Sequence, residues 1–221
     1  MKKLLRSRVN ETNRRQDYGN ITAGLFCKPK TNFIKFAISD HFKETYWIPG
    51  NHEYYQNDIS NRSGSFEEKI INNMSLVNNV VKNFGAHQLL FSTQWSSISL
   101  LNGWRIERGL NDFYQIRYNG KRFQIPDYNE FHAKSLTFLR DALDTIGKKG
   151  VVTHHAPTFK YYPPEYISDY LNEAFATVLD DLILDTTPDY WIYGHHHRNI
   201  PEFKISHTKM FTNSTAQNNL L

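Results

Sequence analysis

Cysteine is almost absent from this chain: Cys27 is the single one in 221 residues. That excludes an internal disulfide framework and a cysteine-rich zinc site, and it fits a reducing compartment. Cys27 itself is read as inert packing. Long apolar runs are missing too. No stretch approaches the ~18 residues that a membrane span needs, so a membrane is not among the expected partners. Met1-Lys2-Lys3-Leu4-Leu5 opens like a secretion signal, but Arg6, Arg8, Arg14 and Arg15 interrupt any hydrophobic region. The expectation is a soluble, cytoplasmic protein whose mature form is the whole chain. There is no internal repeat or low-complexity linker, no nucleophilic Ser or Cys motif and no Gly-rich phosphate loop. With 39% hydrophobic and 14% aromatic residues the chain supports one sizeable core rather than two. A single domain over residues 1–221 is expected.

Charge is unevenly placed. Residues 1–30 hold eight basic side chains against Glu11 and Asp17, so of the overall +4 the rest of the chain carries −2. A basic arm can neutralise phosphate backbones, which keeps a nucleic-acid partner open. A solvated terminus explains the same residues without one, and residues 6–19 are expected to be extended or poorly ordered.

What the chain does have is histidine at strand ends. Trp47-Ile48-Pro49 breaks into Gly50-Asn51-His52-Glu53; Val151-Val152-Thr153 leads into His154-His155; Tyr190 to Tyr193 meets Gly194-His195-His196-His197. Each cluster follows a β-type run and a turn signal, the place where open α/β sheets bind ligands. Elsewhere the pattern predicts a strand over Ile21 to Gly24, a helix-like run from Asn32 to Phe42 and an amphipathic helix from Phe66 to Phe84 ended by Gly85. Two β-type runs are expected at Leu89 to Phe91 and Trp95 to Leu101, with Asn102-Gly103 as a hairpin turn and a second strand pair around Asn119-Gly120. Helices are expected at Asp127 to Leu143 and Glu165 to Leu184, and a last strand at Lys209 to Thr212. Strands alternating with helices predict a layered α/β fold.

The three clusters, in this order, resemble the motifs of the calcineurin-like metallophosphoesterase superfamily, in its small bacterial phosphohydrolase form. The likeness extends through Arg108 to Phe113 and Asp127 to Leu139, roughly residues 20 to 213 in all. It implies an α/β layered domain with a central β-sandwich flanked by helices. It also implies a divalent metal cofactor (Mn, Fe, Zn or Ni) and hydrolysis of phosphate mono- or diesters, with a small phosphate ester or nucleotide as substrate. Carried over by position, Asn51, His154 and His195 would hold one ion, His197 would belong to a second, and His52 would protonate the leaving oxygen. His155 and His196 are expected as supporting or packing neighbours, and Glu53 as a support for its loop. Asn111-Asp112 lies near the site by resemblance.

The family's first two motifs are not matched. Arg6-Ser7-Arg8-Val9 stands where Asp-x-His is expected, and Leu25 follows Gly24 where the carboxylate shared by both metals is expected, 26 residues before Gly50. Roughly residues 1–25 are therefore divergent or incomplete. Asp40 is read as a surface residue rather than a substitute ligand. The expectation is an impaired phosphoesterase with one weakly bound ion rather than two. The alternatives are a catalytically inactive family member and a basic nucleic-acid-binding protein.

Overall fold

A computed structural model describes residues 20–23, 42–196 and 198–212. The segment 6–19, Asp17, Leu25, Cys27, Asp40, nearly all of the run from Asn32 to Phe42, and His197 lie outside the described residues.

The strands form two main sheets. The first has the order β1-β2-β4-β3, from β1 (Asn20–Ala23), β2 (Thr45–Ile48), β3 (Phe66–Ile71) and β4 (Met74–Asn78). β1, β2 and β4 run parallel and β3 antiparallel. The second has the order β11-β12-β10-β9-β6-β5, from β5 (Val80–Phe84), β6 (His87–Ser92), β9 (Lys148–Thr153), β10 (Tyr190–Tyr193), β11 (Phe203–Ile205) and β12 (Thr208–Thr212). Its four central strands are parallel. A small hairpin, β7 (Arg117–Tyr118) and β8 (Lys121–Arg122), brackets Asn119-Gly120 as expected.

Period-two alternation decides which side chain enters which layer. Tyr46, Ile48 and Val77 of the first sheet meet Leu89, Phe91 and Val152 of the second in one buried cluster, so the sheets pack face to face. Their neighbours point the other way. Trp47 and Leu76 line the outer face of the first sheet, while Leu90, Val151 and Trp191 join Leu139, Leu143 and Ile183 under helices. The helices are α1 (Leu100–Gly109), α2 (Asp112–Gln115), α3 (Ile125–Leu143) and α4 (Asp180–Thr186). The result is the expected layered α/β sandwich flanked by helices.

Three sequence expectations are corrected. Phe66 to Phe84 is not a helix but strands β3, β4 and β5. Ile71 pairs with Met74 around Asn72-Asn73, and Asn79 turns the corner at φ 50. Ile70, Val77, Val80 and Val81 match helical spacing, but β-branched residues and Asn-rich corners favour the pleated sheet. Trp95 to Leu101 is not a strand, and Asn102-Gly103 is not a hairpin. The Ser99 hydroxyl accepts from the Asn102 amide at 3.3 Å and caps α1, so Gly103 falls inside a helix. Glu165 to Leu184 is broken into two short 3-10 turns and α4. Phe175 and Thr177 instead exchange backbone hydrogen bonds with Ala156, a tertiary pairing that overrides the local helical period.

Candidate metal centre

Four chain segments reach the same edge of the sandwich because β6, β9 and β10 are parallel neighbours, with Ser92 opposite Thr153 and Val152 opposite Ile192. Past the strand ends the ladder continues. The His154 amide donates to the Ser92 carbonyl at 3.3 Å, the His155 amide to Thr93 at 3.2 Å, and the Gly194 amide to His154 at 3.1 Å. Thr93 Oγ1 donates to the Pro49 carbonyl at 2.8 Å, fastening the loop after β2 to the other sheet.

That loop is a 3-10 turn, Asn51–Tyr54. The Gly50 amide donates to Glu53 Oε2 at 2.5 Å, so Glu53 supports the loop. Asn51 Nδ2 donates to Asp112 Oδ1 at 2.8 Å. A carboxylate can only accept, so this contact decides which end of the amide is which. Asn51 Oδ1 consequently faces His154 Nε2, 3.3 Å away. The His154 ring lies 4.5 Å from the His195 ring, and His195 stacks on Phe175 at 4.4 Å and 23°. His195 adopts φ 69, a left-handed conformation that costs a non-glycine residue on the order of 1 kcal/mol. Asn51, Asp112, His154 and His195 are all buried, none more than 4% exposed.

His52 is half-buried beside this group, its ring 4.6 Å from that of Tyr55. The Tyr55 hydroxyl donates to the same Asp112 Oδ1 at 2.7 Å. His155 sits deeper. Its Nδ1 donates to the Thr93 carbonyl at 3.1 Å and its Nε2 lies 3.3 Å from the Tyr128 hydroxyl. Burial pushes its pKa down to about 3, so it is neutral at ordinary pH. Both of its ring nitrogens are engaged by the protein. His196 packs edge-on against Tyr162 and Tyr193. Tyr162 thus turns inward, while Tyr161 lies exposed against Phe203.

Asp112 gives little sign of its part in the site from sequence alone. It was placed near the site by resemblance alone, yet it holds Asn51 across 61 residues of chain. Burial pushes its pKa up to about 6, against the opposing effect of its Tyr55 and Asn51 hydrogen bonds. Its signal was an acid set between Leu110 and Phe113, both buried.

Two ligand bonds of ~2 Å span at most ~4 Å, so Asn51 Oδ1 and His154 Nε2 at 3.3 Å are close enough to share a cation. Carboxamide oxygen and imidazole suit Mn, Fe, Zn or Ni. Among the described residues, no three His, Cys, Asp or Glu side chains group as a metal site.

Two packed sheets with a buried Asn and His cluster at their parallel strand ends define a metallophosphoesterase-like domain. Residues 15–199 match the model of the calcineurin-like phosphoesterases, and the chain belongs to that family. Its members work with divalent metal ions. Over 179 residues the chain is 31% identical to the uncharacterized protein L509 of Acanthamoeba polyphaga mimivirus, a match covering 72% of this chain and 64% of that protein. The chain thus spans less than two thirds of that relative's length. Its fold is similar to that of the phosphopantetheinyl hydrolase PptH from Mycobacterium tuberculosis, with a TM-score of 0.55 over 85% of this chain and 76% of the other. At 13% identity that likeness concerns the fold alone. No helix among the described residues is long and apolar enough to cross a membrane.

Proposed function

We propose that this protein is a metal-dependent phosphoesterase with a reduced centre, holding at most one divalent ion and hydrolysing phosphate mono- or diesters slowly. The observation that carries this is Asn51 Oδ1 turned to within 3.3 Å of His154 Nε2, with the His195 ring beside it. A divalent ion there would polarise the phosphoryl group and lower the pKa of a bound water. Asn51, His154 and His195 supply its neutral donor set. His52, on the rim, protonates the leaving oxygen.

Slowness follows from charge. Two cations about 3.5–4 Å apart repel strongly unless an anion lies between them, and the sequence has Leu25 where the family's shared carboxylate is expected. β1 supports that alignment, since Ala23 pairs with Ile48 and the strand ends at the edge that carries Gly50.

The test is hydrolysis of p-nitrophenyl phosphate and bis-p-nitrophenyl phosphate with added Mn. Weak Mn-dependent turnover is expected, lost in His154→Ala and reduced by roughly 10²-fold or more in His52→Ala, the range of a general acid. Turnover indifferent to both substitutions overturns the assignment. Absence of turnover with Mn bound makes the protein an inactive member of its family.

A further inference from the structure

Asp112 is an expensive residue to bury. A carboxylate withdrawn from water costs several kcal/mol unless hydrogen bonds replace its hydration. Both side-chain donors that reach it, Asn51 Nδ2 and the Tyr55 hydroxyl, fall on Oδ1. Among the described residues, Oδ2 has no hydrogen-bond partner. Its chain neighbours Leu110, Phe113 and Ile116 all belong to the core.

What the carboxylate does is geometric. An Asn amide can present either its oxygen or its NH2 to a given neighbour, and only the oxygen ligates a cation. Bonding to Asp112 turns the NH2 away and leaves Oδ1 facing His154. The second donor reaches the other half of the site, because the Tyr55 ring that lies against His52 is tethered by its hydroxyl to that oxygen. The platform beneath is firm. The Gln56 amide donates to the Gln115 carbonyl at 2.6 Å, Ile59 to Arg117 at 2.8 Å and Arg117 to Asn57 at 3.0 Å, stitching α2 and its exit to the segment after the Asn51 turn.

We propose that Asp112 is the positioning residue of this site, a single buried carboxylate oxygen that orients the Asn51 carboxamide toward the cation position and, through Tyr55, the His52 ring. The proposal rests on the preceding assignment of Asn51 and His52. Direct ligation by Asp112 is the competing role.

Three variants test it, each read by Mn titration and by the side-chain nitrogen resonances of His52. Asp112→Ala should lower Mn affinity by about tenfold or more, the usual cost of removing a ligand's supporting partner, and should shift the His52 resonances. Asp112→Asn keeps an acceptor oxygen and should hold Mn affinity within about threefold, the effect of weakening one hydrogen bond. Tyr55→Phe should shift His52 while leaving Mn affinity nearly unchanged. The proposal is overturned if folded Asp112→Ala leaves both readouts at wild-type values, or if Asp112→Asn loses as much affinity as Asp112→Ala, which would make the charge itself the ligand. Should Asp112→Ala not fold, the other two variants decide the matter. The His52 resonances need no metal, so they test positioning even if wild-type protein binds no Mn and the assignment of a metal site fails.

Discussion

Gly50 and His154 occupy adjoining space: a Cβ added to Gly50 would lie 2.4 Å from His154 Cε1 and 2.7 Å from Nε2. Contacts under 3 Å are not tolerated, and His154 is buried, so the imidazole can sit where it does only because residue 50 has no side chain. The glycine of the Gly-Asn-His-Glu run thus sets the position of His154 at the end of another strand.

Gly50→Ala should displace the His154 ring from Asn51. Overpacking of this kind costs about 1–3 kcal/mol, and loss of a shared donor should weaken Mn binding by about tenfold or more. Thermal unfolding and Mn titration of the variant check both parts. A variant with wild-type melting and wild-type Mn affinity would mean that His154 is not held where the structure places it.

Stability should fall on acidification from pH 7. His155 has its pKa pushed from 6.5 down to about 3 by burial. Between those values the unfolded chain binds a proton that the folded chain refuses, so this contribution is complete above about pH 6.5 and is lost as pH falls. Burial lowers the pKa of His132 as well, although its Nδ1 contact with the Trp95 carbonyl opposes the shift, and it acts in the same direction. Asp112 works against them. Raised from 3.8 to about 6, it stays protonated in the folded chain up to about pH 6, so its contribution is fully present below 3.8 and is lost as pH rises through about 6. Urea unfolding at pH 5, 6 and 7 should show a positive slope that becomes shallower in His155→Gln, by up to about 1.4 kcal/mol per pH unit. Equal slopes in the two proteins would remove His155 as the cause.

Leu25→Asp should strengthen divalent binding by restoring a charge where the family's shared carboxylate is expected. Turnover should change little, because Arg6-Ser7-Arg8-Val9 stands where the Asp-x-His motif is expected. Mn titration and ester hydrolysis of the variant separate the two effects. A large gain in turnover from this one substitution would mean that the first two motifs are not both needed.

The fold was legible where each strand met a turn signal. Tyr190 to Tyr193, Val151 to Thr153 and the helix ending at Leu143 stand where the pattern placed them. Phe66 to Phe84 was misread because Ile70, Val77 and Val81 satisfy a helical period as well as a strand's, and only the Asn corners distinguish the two. Phe175 was out of reach for another reason. Its role against His195 depends on a pairing with Ala156 that no local pattern encodes. In the site, the strand-end histidines were visible because histidine repeats there, whereas Asp112 was hidden because its meaning lies in what it holds. The carboxylate reaches Asn51 and Tyr55 only once α2 is folded against their turn.

The number of ions bound per chain separates a reduced centre from a complete one. Protein purified with Mn, exchanged into metal-free buffer and assayed by mass spectrometry over a series of free Mn concentrations gives the number bound per chain and its affinity. Saturation at no more than one Mn per chain is expected, with weak affinity that is lost in Asn51→Ala and His195→Ala. Two tightly held Mn ions per chain would contradict it and would make this protein a complete two-metal enzyme.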